Sequence, residues 1–148
     1  MRATFRTLAH TAALGVMGAS TGVALAAVPL PPVHDAGAVA YLSGGIGQGE
    51  VHAIETAEEQ WPLTLEFAQK DGHHGDFVAD VHVVVRDARG RLALTATSDG
   101  PFLLARLAPG RYLVDATLDG KTMHDKVTVR SGVPAKAILV WPAGTDNS

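Results

Sequence analysis

The chain has 148 residues, a size that suits one domain, and it has no cysteine, so no disulfide can hold it. It is 47% hydrophobic and only 18% charged, which excludes intrinsic disorder, and an aromatic share of 5% leaves the core to Val, Leu, Ile and Ala. A formal net charge of -3 removes bulk attraction to nucleic acid or anionic lipid.

Residues 1–26 read as a secretory signal peptide. Arg2 and Arg6 form a positive start, an apolar stretch containing LGVM and GVALA follows, and Ala24-Leu25-Ala26 offers a cleavage site before Ala27. His10, Gly15, Gly18, Ser20 and Gly22 make this stretch a poor membrane-spanning helix. There is no twin arginine, which favours the general secretory route, and lipid attachment would need a cysteine. Cleavage removes two arginines and no acid, so the remainder is more acidic still. The expected place is a bacterial periplasm or exterior, where a cysteine-free exported fold is at home, with no membrane span in the mature chain.

Residues 27–47 are rich in Pro, Ala and Gly without a clear period, and read as a loosely held arm. A short helix is expected over 48–61, with Val51, Ile54 and Ala57 on one face and Pro62 ending it. Glu58 and Glu59 sit unfavourably at its negative end. From Leu63 the period changes to two. Leu63, Leu65 and Phe67 alternate with polar neighbours. So do Ala79, Val81, Val83 and Val85; Leu92, Leu94 and Ala96; Phe102 and Leu104; Tyr112, Val114, Ala116 and Leu118; Val127 and Val129; and Ile138 and Val140. The breaks carry turn residues, and Asp119-Gly120 is the strongest hairpin signal because both central residues of a type I′ turn need positive φ. These runs predict an all-β fold: a seven-stranded antiparallel Greek-key sandwich over 62–142, followed by a tail at 143–148. A small closed barrel is the other architecture the pattern allows.

Within this region, Thr95 to Ala116 reads TATSDGPFLLARLAPGRYLVDA. It resembles the central signature of carboxypeptidase regulatory-like domains, which group with transthyretin-like (prealbumin-like) and CnaB-type β-sandwiches. Locally, Gly100 permits a tight turn, Leu107 enters the core before a corner, Pro109-Gly110 makes the corner, and Tyr112 buries its ring. The resemblance spans about Leu63 to Trp141 and implies fold more than activity. The stretch from GGIGQGE to PLTLEFA is also similar to small uncharacterised exported bacterial proteins. A Lys–Asn crosslink of the CnaB kind is not expected, because the chain's asparagine is Asn147, outside any strand. The Tyr-Arg-Gly-Ser tail of transthyretin-like hydrolases is missing from the ending GTDNS. His52-x-x-Glu55 mimics half of a zinc-peptidase motif, but this length cannot hold a peptidase domain beside the sandwich.

The stretch KDGHHGDFVADVH (Lys70–His82) carries the candidate metal ligands His74, Asp76, Asp80 and His82, whose imidazoles and carboxylates suit zinc, copper or nickel. The plainer reading makes Lys70–Asp76 a polar loop and Phe77–His82 the start of a strand, with Ala79 and Val81 inward and Asp80 and His82 outward. The glycines at 44, 45, 47 and 49 lack the strand and the Lys-Ser/Thr of a phosphate cradle, and read as helix entry. Ser43, Ser98 and Ser131 have no marked base, His124 reads as a lone surface residue, and Asp115 or Asp125 is expected to pair with Arg111 or Lys126. The expectation is therefore a non-enzymatic binding or interaction module without cofactor, meeting an unknown protein partner in the cell envelope through its loops or an exposed sheet edge. Metal binding at His74–His82 and carbohydrate binding are the alternatives. The latter draws on Trp61, Trp141, Tyr41 and Tyr112, of which Trp61 and Tyr112 look core-directed.

Overall fold

The computed structural model describes residue 22 and residues 28–146. Apart from residue 22, the expected signal peptide lies outside the described residues, as do its cleavage site and Asn147. Ten strands and one short helix run in the order β1 (His34–Ala36), β2 (Val39–Gly44), α1 (Gln48–Ala57, extended by a 3₁₀ turn at Glu58–Gln60), β3 (Leu63–Asp71), β4 (His74–Phe77), β5 (Val81–Asp87), β6 (Leu92–Ser98), β7 (Phe102–Ala105), β8 (Gly110–Leu118), β9 (Lys121–Val129) and β10 (Ala135–Trp141). No helix among the described residues is long and apolar enough to cross a membrane.

The strands form two sheets. The first has the order β1-β2-β7-β3-β10, with β4 also paired to β3; the second has the order β6-β5-β8-β9. On β3, Leu63 to Glu66 pair with β7 and Ala68 to Asp71 pair with β4. The β3–β10 pairing, from Ala135↔Leu63 to Trp141↔Gln69, is parallel; every other pair is antiparallel. One core fills the space between the sheets, with Leu63, Leu65, Phe67 and Trp141 from the first and Val81, Val83, Val85, Val114 and Ala116 from the second. Trp141 is fully buried, its ring centroid lies 6.1 Å from that of Phe67, and its indole N–H donates to the Lys121 carbonyl at 2.9 Å. That bond satisfies the polar edge that burial would otherwise leave stranded.

A second apolar cluster lies on the other face of the first sheet. Ile54 of α1 packs with Leu42, Trp61, Phe102 and Leu104, flanked by Val51 and Ala57. Burying Ile54 fully contributes about 1.5–3 kcal/mol, which holds the helix to the sheet. The first sheet is thus covered on both faces. For this reason β7 is buried at every position, and Phe102 and Leu104 face the helix while Leu103 and Ala105 face the partner sheet. Glu50 in the first helical turn accepts hydrogen bonds from the Gly45 and Ile46 N–H groups at 2.7 and 3.4 Å, tying down the glycine entry. At the far end, the Lys136 ammonium donates to Glu58 at 3.0 and 3.2 Å and meets Glu66 at 3.0 Å. Burial alone would lower the Lys136 pKa, but these two carboxylates outweigh it and raise it above 10.5. The cation also offsets the poor placement of Glu58 against the helix dipole.

Several expectations change. The arm at 27–47 contains β1 and β2, so the sheet structure starts at His34 and not at residue 62. Lys70–Asp76 is not a loop: β3 runs to Asp71, and β4 folds back on it across Gly72-His73, with Gly72 at φ 57 in the first turn position as a II′ hairpin requires. Phe77–His82 is not one strand either. Asp80 has φ 57, β5 starts at Val81, and Val78 enters the core while Ala79 is half-buried. Seven antiparallel strands were expected; the seven runs are all strands, but β1, β2 and β4 bring the described total to ten, and β10 pairs parallel to β3. On β10 the inward set is Ala137, Leu139 and Trp141, while Ile138 is exposed.

Candidate functional site

Three connections that are far apart in the chain meet at one end of the two sheets. They are the link from helix to β3 (Glu59 to Pro62), the corner from β7 to β8 (Arg106 to Pro109) and the turn from β9 to β10 (Val129 to Pro134). The register of β3 brings them together. Leu63 pairs with Ala105 on one side and Ala135 on the other, so the residues just beyond each strand end become neighbours. The Ala135 N–H donates to the Pro62 carbonyl at 3.0 Å, and the Arg106 N–H to the Ala40 carbonyl at 2.9 Å, anchoring two of the three walls. Between them lies a cleft of about 260 Å³.

The corner is built by Tyr112. Its hydroxyl donates to the Ala108 carbonyl at 2.6 Å while its ring is buried, in the manner of a tyrosine corner. Burial, and then the nearby Asp87 carboxylate, raise the phenol pKa above 10.0. Leu107 is 4% exposed and plugs the core beside it, as the sequence predicted. In the cleft, the Arg106 guanidinium carbon lies 4.1 Å from the centroid of the Trp61 ring, a cation–π contact. Trp61 is only 5% exposed, yet its indole N–H makes no hydrogen bond among the described residues. Arg106 and Arg130 are both exposed, and neither makes an ion pair among the described residues. Apolar wall is supplied by Leu107, Val129, Val133 and the prolines, and one carboxylate, that of Glu59, lines the cleft.

The four candidate metal ligands are dispersed. His74 and Asp76 lie exposed on β4 of the first sheet. Asp80 precedes β5, with its N–H bonded to the Ser98 carbonyl at 2.9 Å. His82 lies exposed on β5 of the second sheet, its Nδ1 3.5 Å from the Thr97 hydroxyl. Among the described residues, no three His, Asp or Glu side chains are grouped so that they could hold a metal ion. The outer face of the second sheet instead carries paired polar groups. Asp115 meets His124 at 2.6 Å directly across the β8–β9 hairpin, in place of the expected Arg111 or Lys126, so His124 is not a lone residue. Thr117 and Thr122 share a hydrogen bond at 2.7 Å. Ser98 donates to the Gly100 and Phe102 carbonyls, while Ser43 accepts from the Asp99 N–H at 3.1 Å and donates to the Asp99 carboxylate at 3.4 Å.

Of the aromatic side chains expected to be available for stacking on a sugar, Trp141 is fully buried, and Trp61 and Tyr112 are buried as predicted. A separate groove of about 630 Å³ runs between the β1–β2 hairpin and β6, with Tyr41 half-buried in its wall beside the exposed Leu92. No protein-family model matches the chain, and no curated protein matches it significantly.

Proposed function

We propose that this chain is an exported, non-catalytic binding module: a Greek-key β-sandwich of the carboxypeptidase regulatory-like, transthyretin-like kind, working in the periplasm or outside the cell. The observation that carries the reading is the end cleft, where three connections on a firmly paired scaffold bring together Trp61, the Arg106 guanidinium held over its ring, and the exposed Arg130, neither arginine in an ion pair among the described residues. Loops held by a rigid scaffold are where binding residues concentrate. The buried Leu107, the Pro109-Gly110 corner and the Tyr112 bond support the sandwich kind. The charge and apolar pattern of residues 1–26 supports export. The engagement of the Ser98 hydroxyl with two backbone carbonyls supports a non-catalytic role for that residue.

A fragment screen followed by amide chemical shifts tests the binding site. Ligand-induced shifts are expected to concentrate at residues 59–62, 106–109 and 130–134. Hits that cluster along the β6 groove, or scatter over the surface, would sink the assignment of the site.

A further inference from the structure

We infer that the end cleft takes a small monoanionic carboxylate with an apolar body, an inference that rests on the binding reading above. The donors in the cleft outnumber what the chain itself satisfies. The ion pairs of Lys136 with Glu58 and Glu66 involve no arginine, so Arg106 and Arg130, like the other arginines among the described residues, make no ion pair; what sets these two apart is that both line one cleft. Trp61 adds a third donor. Its side chain is more than nine-tenths buried and lines the cleft, and its indole N–H, which has no acceptor among the described residues, is not sealed from solvent; the buried side-chain polar atom left without a partner is Thr64 Oγ1. A donor-rich cleft fits an acceptor-only group, and guanidinium forks match a carboxylate two bonds at a time. Stacking on Trp61 restrains the Arg106 fork before any ligand arrives, which lowers the ordering cost of binding.

Charge and wall chemistry narrow the class. Two guanidiniums set against the Glu59 carboxylate leave one net positive charge in the cleft, which suits a monoanion better than a doubly charged phosphate. Leu107, Val129, Val133 and the prolines then face the body of the ligand, so that body is apolar.

The test titrates the full chain with benzoate, its uncharged isostere benzamide, and inorganic phosphate, following tryptophan fluorescence. Trp141 is sealed in the core, so the response reports Trp61, and Trp61→Phe should abolish it. Benzoate is expected to saturate the signal below about 20 mM at low salt, with benzamide and phosphate each about tenfold weaker or more. Arg106→Gln and Arg130→Gln, both at exposed positions that spare the fold, should each weaken benzoate about tenfold, and Glu59→Gln should tighten it. Equal response to benzoate and benzamide, or tighter phosphate, would overturn the carboxylate assignment while the binding reading stands. Silence from every probe, with fragments also failing to shift residues of the cleft, would overturn both.

Discussion

Tyr112→Phe probes the corner that shapes the cleft. The substitution keeps a ring that is 8% exposed and deletes one hydroxyl, so it removes only the 2.6 Å bond to the Ala108 carbonyl. A net neutral hydrogen bond is worth about 1 kcal/mol, and because Ala108 is exposed, water can reach its carbonyl and keep the cost near that figure. For a domain of this size about 1 kcal/mol corresponds to roughly 3–6 °C in Tm. A second signature lies at alkaline pH. The phenol pKa is raised above 10.0, by burial first and by Asp87 second, so the folded chain holds this proton more tightly than the unfolded chain. That contribution is complete below pH 10.0 and is lost as pH rises through the folded value. Urea unfolding followed by tryptophan fluorescence, at neutral pH and in steps through the alkaline range, measures both. The variant should lose about 1 kcal/mol at neutral pH and show a shallower alkaline decline. A loss below about 0.3 kcal/mol together with an unchanged alkaline limb would refute the corner's role.

Gly100→Ala should cost at least 1–3 kcal/mol by order of magnitude, since a Cβ there would lie about 2.3 Å from the Gly44 carbonyl oxygen and the backbone must move; urea midpoints decide it, and a loss under about 0.5 kcal/mol contradicts the packing. A double-mutant cycle on Lys136→Met and Glu58→Gln should return a coupling of about 0.2–1 kcal/mol that shrinks in high salt, as a partly exposed pair requires. The same ion pairs hold the Lys136 proton in the folded state, so their share of stability is present below pH 10.5 and falls as pH climbs past the raised folded value. Secretion of the full chain from a bacterial host, followed by intact mass, should yield a product beginning at Ala27; retention of residues 1–26 would count against export by cleavage.

The strands that the sequence made legible are those whose one-sided burial leaves a period of two. β5 and β8 bury Val81, Val83 and Val85 against Val114 and Ala116 and leave His82 and Asp115 outside. The β8–β9 hairpin was legible for a backbone reason: Asp119 and Gly120 have φ 44 and 78, as a type I′ turn demands. β1 and β2 were not legible because their residues are small and weakly patterned. The strand state of β2 is imposed by pairing with Phe102–Ala105, far along the chain, and β1 in turn pairs with β2; tertiary context of this kind overrides propensity. β4 is exposed throughout and has no alternation to read; the Gly72 turn was its one available signal. β7 was found, but its facing was hidden, because a strand covered on both sides shows a continuous apolar run. Of the cleft, Tyr112 and Leu107 were legible through the corner motif. Trp61, Arg106 and Arg130 carry no local signature, since only the fold makes them neighbours.

The cleft is a product of strand register more than of loop shape. Leu63 is paired on both sides, to Ala105 and to Ala135, and it is fully buried. Each wall therefore starts one residue beyond a paired position: Pro62 before Leu63, Arg106 after Ala105, Pro134 before Ala135. Slipping any of these strands by one residue would turn its apolar set outward, so the core that fixes the register also fixes the cleft. The helix adds the remaining piece. Because α1 covers the outer face of the first sheet, the chain must descend from helix to β3 at that end, and Trp61 is the residue that closes the outer cluster as it does so. One side chain thus belongs to the packing under the helix and to the cleft wall. The Ser131–Pro134 turn has no such second role. It is exposed, and its Val133 is tied back to Arg130 by a backbone bridge, so Ser131 and Gly132 at its tip are free to vary in what they offer a ligand while the register behind them stays fixed.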